Sequence, residues 1–420
     1  LTRLWWADRR GQRLFTQSFP DPAISMTDTQ PALSLFRPQH VREKAYELLK
    51  LATDGKLAHV EAVPDLLETA LAKVLETTRE NYPDFHIPPY GIWRNYEAGG
   101  IDRWGALANA RGFETAEEML AAAADLAILG TYMKTRHPEG WVFEDRMTET
   151  EATGQEASAL AAFHMFAAGS FSGEMTDPYR VDAQTLVQMD RMELSEGLQW
   201  DAREDDDLLE AMQRHLKRFG EALALRPDLF GEGDETRPGR LAVRMAKESD
   251  GVVSARDLLD RVLESLCPLW DGGAGDGNMV YGDSFEHYQR GAVSERTVVP
   301  FHLAAQEMVY SLIEPLAWAG FEVSGLEALT PPANPAHAAL FLDAGVLKIL
   351  EPDTVLSAEA ERDRMVEIRA VALALTDRLA ELLRHELKVH QDQLPLTCIL
   401  EGGTSRAGGI YLQGHPQEAK

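Results

Sequence analysis

The chain has 420 residues, 45% of them hydrophobic, which is ample for a large buried core. Its 41 Lys and Arg stand against 68 Asp and Glu, a formal net charge of -27. Nucleic-acid affinity depends on Lys and Arg displacing counterions, and an anionic membrane leaflet repels negative charge, so neither is an expected partner. A small-molecule substrate is expected instead, since a pocket for one small anion needs only a few local cations. The two cysteines, Cys267 and Cys398, lie far apart and fit neither a disulfide scaffold nor a Cys-rich zinc site. No apolar run reaches membrane length. The expectation is a soluble cytoplasmic protein with no metal or redox cofactor, its oligomeric state left open.

Residues 1–25 mix Trp5, Trp6, Arg and Pro without periodicity and lack the apolar stretch of a signal peptide. Patterned sequence begins after Met26, so residues 1–30 are expected to be a disordered or upstream-translated tail, with a single domain over 31–420. Helical spacing then dominates. Val41, Ala45, Leu48, Leu49 and Ala52 form one apolar face after Pro38, and Leu67, Ala70, Leu71, Val74 and Leu75 another after Pro64. Thr115 and Glu118 make a capping-box pattern ahead of an Ala-rich helix through Tyr132. Further helices are expected over 155–168, Asp207–Leu225, from the Ser254 cap to Leu266, over Val299–Ala319 and over Glu359–Lys388. Strand candidates are few: a short hairpin within Ala339–Leu350, and Asn278–Tyr281. No strand–helix alternation appears, which excludes a doubly wound parallel sheet; the fold class is mostly α.

No Walker loop, dinucleotide fingerprint or kinase set occurs. The run Asp271–Gly277 is glycine-rich but misses the dinucleotide spacing. His385 and His390 are five apart, roughly 140° around a helix, so they do not face one zinc ion. Four segments carry chemistry. In Trp93–Trp104, aromatic residues interleave with Arg94, Arg103, Glu97 and Asp102 around Gly99-Gly100; this is either a ligand-facing loop or a capped turn with internal ion pairs. His302, Gln306, Tyr310 and Glu314 succeed one another at i+4 steps on an apolar helix and either line a pocket or satisfy nearby backbone. Pro315 is expected to kink that helix. Asp283 sits before Glu286-His287, where helix capping is the plain alternative. Glu401-Gly402-Gly403-Thr404 fits either a backbone nest for an anion or a loop without duty.

Together these segments resemble the fourth uracil-catabolism protein family, known in fungi and bacteria as a domain of unknown function. The resemblance runs from about Phe36 to Gly409. It is carried by Glu80-Asn81-Tyr82-Pro83, Trp93-Arg94, Glu97-Ala98-Gly99-Gly100, Asp102-Arg103, Glu151–Gln155, Arg226–Gly231 and Arg237-Pro238-Gly239. It continues through Gly282-Asp283, Val299–His302, Gln306, Tyr310–Leu312, Glu314–Leu316, Trp318–Gly320, Gly325-Leu326, Leu329-Thr330, Leu342–Gly345 and Leu400–Thr404. The resemblance implies a part in uracil degradation through a ribosylurea, ending in urea and a small acid. The overall layout is also faintly similar to helical DNA-glycosylase-like queuosine-salvage proteins.

This likeness implies N-ribosyl hydrolysis, in which carboxylates stabilise an oxocarbenium-like state and activate water. Asp102 is the first choice, with Glu97 and Glu314 beside it, and His302 is expected to protonate or hold the leaving nitrogen. Arg94 and Arg103 are expected to grip ribose or phosphate, with Asp283, Gln306, Tyr310 and Glu401 completing the substrate contacts. Four places depart from the family's usual pattern. Asn95 stands where His is usual, Leu303 where Lys is usual, Asn334–Ala338 where Tyr-Arg-Asn-Gly-Gly is usual, and Ser405 where Trp is usual. They support a second reading, a retasked or inactive paralogue that binds a related small molecule.

Overall fold

The Ala-rich stretches become the centre of the molecule, because a helix that is apolar all round is stable only when covered on every side. The computed structural model describes residues 34–270, 272–275, 280–288, 296–350 and 354–414. The expected tail over 1–30, its start at Met26, and Asn278 and Met279 of one strand candidate lie outside these residues. The principal helices of the N-terminal half are α1 (Pro38–Thr53), α2 (Leu67–Asn81), α3 (Trp93–Tyr96), α4 (Arg103–Arg111), α5 (Ala116–Tyr132) and α6 (Gly154–Ala168). After them come α7 (Asp206–Ala224), α8 (Ala255–Leu266), α9 (Leu303–Trp318), α10 (Pro335–Asp343), α11 (Ala358–Leu387) and α12 (Ser405–Gly414). Every residue of α5 from Leu120 to Tyr132 is buried, as is every residue of α9 from Ala305 to Ala317. α5 packs on α6 and α9, α11 on α1 and α10, and α10 on α12. The buried apolar residues form one cluster from Val41 to Ala407, so the described residues share a single core.

Among the described residues strands are short and pair only in twos. The antiparallel pairs are β1 (Val60–Ala62) with β10 (Leu347–Ile349), β2 (Val142–Asp145) with β3 (Thr150–Thr153), β4 (Gly231–Glu232) with β5 (Glu235–Thr236), and β7 (Ser284–Tyr288) with β8 (Arg296–Pro300). The parallel pair is β6 (Val252–Ser254) with β9 (Glu322–Ser324). The mostly α expectation therefore holds.

Two local expectations are corrected. Ala339–Leu350 is not a hairpin: its first part belongs to α10, because Asn334 accepts from His337 N at 3.2 Å and Pro335 opens the helix. Only Leu347–Ile349 is extended, and its partner β1 lies far away in sequence. Val299 and Pro300 are strand, so α9 starts at Leu303 with His302 left-handed at φ +52°. Pro315 lies inside α9, which runs on to Trp318.

One charge stands in the middle of α5. Asp125 is fully buried and accepts from Arg237 Nε at 2.9 Å, Val181 N at 3.0 Å and Gly239 N at 2.6 Å. Gly239 is needed there, since a Cβ on it would lie 2.1 Å from Ala121 O. The Arg-Pro-Gly motif is thereby explained as a clamp on α5. Asp125→Ala leaves Arg237 buried without its carboxylate, and we expect it to lower unfolding free energy by about 3–5 kcal/mol, read from denaturant midpoints.

Candidate functional site

The Trp93–Trp104 segment is placed by α9. Pro315 has no N–H, so the carbonyl of Ser311 lacks its helical partner, and Trp93 Nε1 donates to it at 2.7 Å. Ile92 N donates to Ser311 Oγ at 3.1 Å, and Gly91 lies so close that a Cβ would be 3.1 Å from Ser311 Cα. This docking delivers Arg94 to Glu314, with Nη2 at 2.7 and 2.8 Å from its two oxygens, while Nη1 reaches Glu97 at 3.1 Å. Glu401 joins from a π-helical turn over Leu400–Thr404, a rare form often found at functional sites. The turn packs tightly on α2: a Cβ on Gly403 would lie 2.4 Å from Val74 Cγ1. Glu401 accepts from Tyr82 Oη at 2.8 Å and Arg406 Nε at 3.0 Å.

Four of the expected site residues, Arg94, Glu97, Glu314 and Glu401, are therefore one charged centre. It is nearly closed: the side chains of Glu314 and Glu401 are each 6% exposed. Burial pushes the Glu314 carboxyl up to about 7, against the pull of Arg94 and with further push from Glu97 and Glu401. Burial also raises Glu401, opposed by Arg406 and Arg94.

The other residues of the α9 stripe bond elsewhere. His302 Nε2 meets Leu35 O at 2.9 Å, and its ring stacks on Phe36 at 5.6 Å. A carbonyl only accepts, so Nε2 carries the proton and the buried Nδ1, unpartnered among the described residues, is an acceptor in the neutral ring. Burial depresses its pKa and keeps it neutral, with Leu35 O and Asp283 opposing. In that state its ring nitrogen facing away from Leu35 cannot protonate a leaving group. Gln306 Oε1 accepts from Thr330 N at 3.3 Å and Tyr310 Oη donates to Thr330 O at 3.1 Å, so both clamp one residue's backbone. Asp102 is exposed and caps α4, accepting from Gly105 N at 2.8 Å. Arg103 is buried, donates to Tyr96 O at 3.0 Å and Ala98 O at 2.6 Å, and pairs with Asp145. Neither Asp102 nor Arg103 joins the Glu314 centre.

Asp283 occupies different ground. It lines a cavity of about 920 Å³ walled by the first turn of α9, the start of α10, one face of α11 and the aromatic residues Trp270, Phe285 and Tyr411; Asp102 and Arg103 do not line it. Arg369 Nη1 donates to its Oδ1 at 2.9 Å and Nη2 to its Oδ2 at 2.7 Å, and Leu303 N donates to Oδ2 at 2.9 Å. The capping alternative is thus correct, but the helix capped is α9. Burial alone would raise the Asp283 pKa; Arg369 and the amide of Leu303 outweigh it and hold the carboxyl below its usual value. Arg369 lies 4.1 Å over the Phe301 ring. Sequence reading did not find Arg369, Trp270 or Tyr411. The available signal was a charged residue four positions after Met365, on a face of the long α11 pattern that also carries Ile368. It likewise missed Glu307, which accepts from Tyr90 Oη at 2.8 Å, while Asn334 Nδ2 on the cavity wall donates to that hydroxyl at 3.4 Å.

The raised Glu314 carboxyl makes stability depend on pH with a definite sign. A group whose folded pKa exceeds its unfolded one stabilises fully below the unfolded value and loses that contribution as pH rises through the folded one. For Glu314 the window runs from 4.5 to about 7. Glu314→Gln, neutral throughout, is expected to melt above the wild-type protein at about pH 8, with the gap closing by about pH 5. Thermal melts across this range check it; a constant gap defeats the assignment.

The family model described as a protein of unknown function, DUF1688, matches residues 34–415. Protein urg3 of Schizosaccharomyces pombe is 25% identical over 396 residues, covering 92% of this chain and 94% of that protein. Uracil catabolism protein 4 of Lachancea kluyveri is 23% identical over 387 residues, covering 84% of this chain and 85% of its own length. These matches span the helices, the charged centre and the cavity alike, and the chain belongs to the DUF1688 family.

Proposed function

We propose that this protein serves uracil catabolism by hydrolysing the N-glycosidic bond of a ribosylurea-type intermediate, with Asp283 as the carboxylate facing the sugar. The observation that carries the reading is an ionised carboxylate lining a ligand-sized cavity, whereas the Glu314 centre is closed to a substrate. The family likeness and the name of the Lachancea relative favour the pathway. In this reaction water adds to the anomeric carbon and urea leaves with the proton that the water gives up. A carboxylate has about four lone-pair sites, and three hydrogen bonds to Asp283 leave one on Oδ1 for the developing cation or the attacking water. Arg369 fixes that oxygen and keeps it charged. Trp270, Phe285 and Tyr411 offer flat apolar surface to the ligand. Arg364 is paired across i,i+3 with exposed Glu361 at 2.7 Å, a weak pair that a phosphate can displace.

A second reading has its own observation. Leu303, Asn334, Pro335 and Ala338, all at places that depart from the usual family pattern, line this cavity. A wall rebuilt at those positions favours a paralogue that binds a related small molecule.

Purified protein mixed with ribosylurea, with and without its 5-phosphate, is expected to release urea. Asp283→Asn, checked for folding by circular dichroism, should lower kcat/KM by about 10²–10³-fold. Loss of release in Asp102→Asn with activity kept in Asp283→Asn would move the site to the α4 loop. No release from either compound, together with thermal stabilisation by them, would establish the paralogue.

A further inference from the structure

A second cavity of about 420 Å³ lies between α1, the C-terminal part of α11 and the turn after β9, and shares no lining residue with the first. Two of its charges satisfy each other: Arg42 Nε meets Asp377 Oδ2 at 2.8 Å, and Arg42 Nη2 donates onward to Leu329 O at 2.6 Å. Two others do not. Arg384 donates Nε to Leu394 O at 2.9 Å, and among the described residues its two Nη groups meet no acceptor. Glu381, three residues earlier on the same helix, is exposed and forms no ion pair among the described residues, although that spacing commonly permits one with Arg384. The Tyr46 hydroxyl, on the facing helix, also lines this cavity without a hydrogen-bond partner among the described residues. Burial lowers the Arg384 pKa, and Asp377 and Glu381 only partly offset it, as expected for a guanidinium lacking a direct carboxylate.

An open guanidinium fork, a free carboxylate and a free hydroxyl around one cavity match a ligand carrying both signs of charge. We propose that this cavity binds a small amino acid as a zwitterion, its carboxylate on the Nη pair of Arg384 and its ammonium on Glu381. The bidentate fork supplies most of the affinity and the exposed Glu381 supplies selectivity.

Isothermal titration of the full chain with a panel of amino acids, and with acetate and ethylamine as half-ligands, tests it. At least one amino acid is expected to bind saturably, acetate about threefold more weakly and ethylamine about tenfold or more weakly. Arg384→Gln should weaken binding by about tenfold or more, and Glu381→Gln by about threefold while removing the preference over acetate. Glu381 is exposed, so that variant stays informative even where Arg384→Gln folds poorly. No saturable heat from any amino acid, acetate binding as well as the best amino acid, or binding indifferent to Glu381→Gln would each overturn the proposal.

Discussion

Burying α9 on every side makes unpaired polar groups costly, and the partners most of them find place much of what surrounds it. His302 takes the carbonyl of Leu35, Gln306 and Tyr310 take both backbone groups of Thr330, and Glu307 takes Tyr90. Ser311 receives Ile92 and Trp93, and Glu314 receives Arg94. The first turn is tied in the same manner, with Asp283 accepting from Leu303 N. Segments from the N-terminal, central and C-terminal parts of the chain are thus registered against one helix. A single imino acid adds to this: Pro315 withholds an N–H, and the carbonyl so released is where the aromatic loop attaches.

Access separates two carboxylate settings that composition alone would rank alike. Glu314 and Glu401 sit in a closed network with two arginines, where charge is held tightly and burial raises both carboxyls. Asp283 is just as firmly bonded, yet it borders open space and stays ionised. A buried network of the first kind rigidifies and fixes a unique arrangement, whereas Asp283 borders a cavity of about 920 Å³.

Periodicity makes most long helices legible, because a 3.6-residue apolar repeat is a local property: α1 and α2 are read with most of the residues that bury them, and α5 and α8 from their caps. The short strands are not, since β1 and β10 or β6 and β9 exist only by pairing with distant segments. The motif segments are visible in the sequence, and they include Arg94, Glu97, Glu314 and Glu401. Their grouping is hidden, because the i+4 stripe on α9 looks like one surface but spreads its partners along the helix's length. Asp102 drew attention through its family position, and the structure gives it the ordinary duty of an N-cap. Asp283 reads both as a cap and as a substrate contact, but its tie to Arg369 is hidden, since Arg369 lies 86 residues onward and no local pattern joins them.

The strap from Gly325 to Asn334 is bordered at one end by the smaller cavity and at the other by the larger one. Between them it is gripped by Arg42 at Leu329 and by Gln306 and Tyr310 at Thr330. One short stretch thus lends wall to both cavities, and its fixed middle keeps those walls in register with α1 and α9.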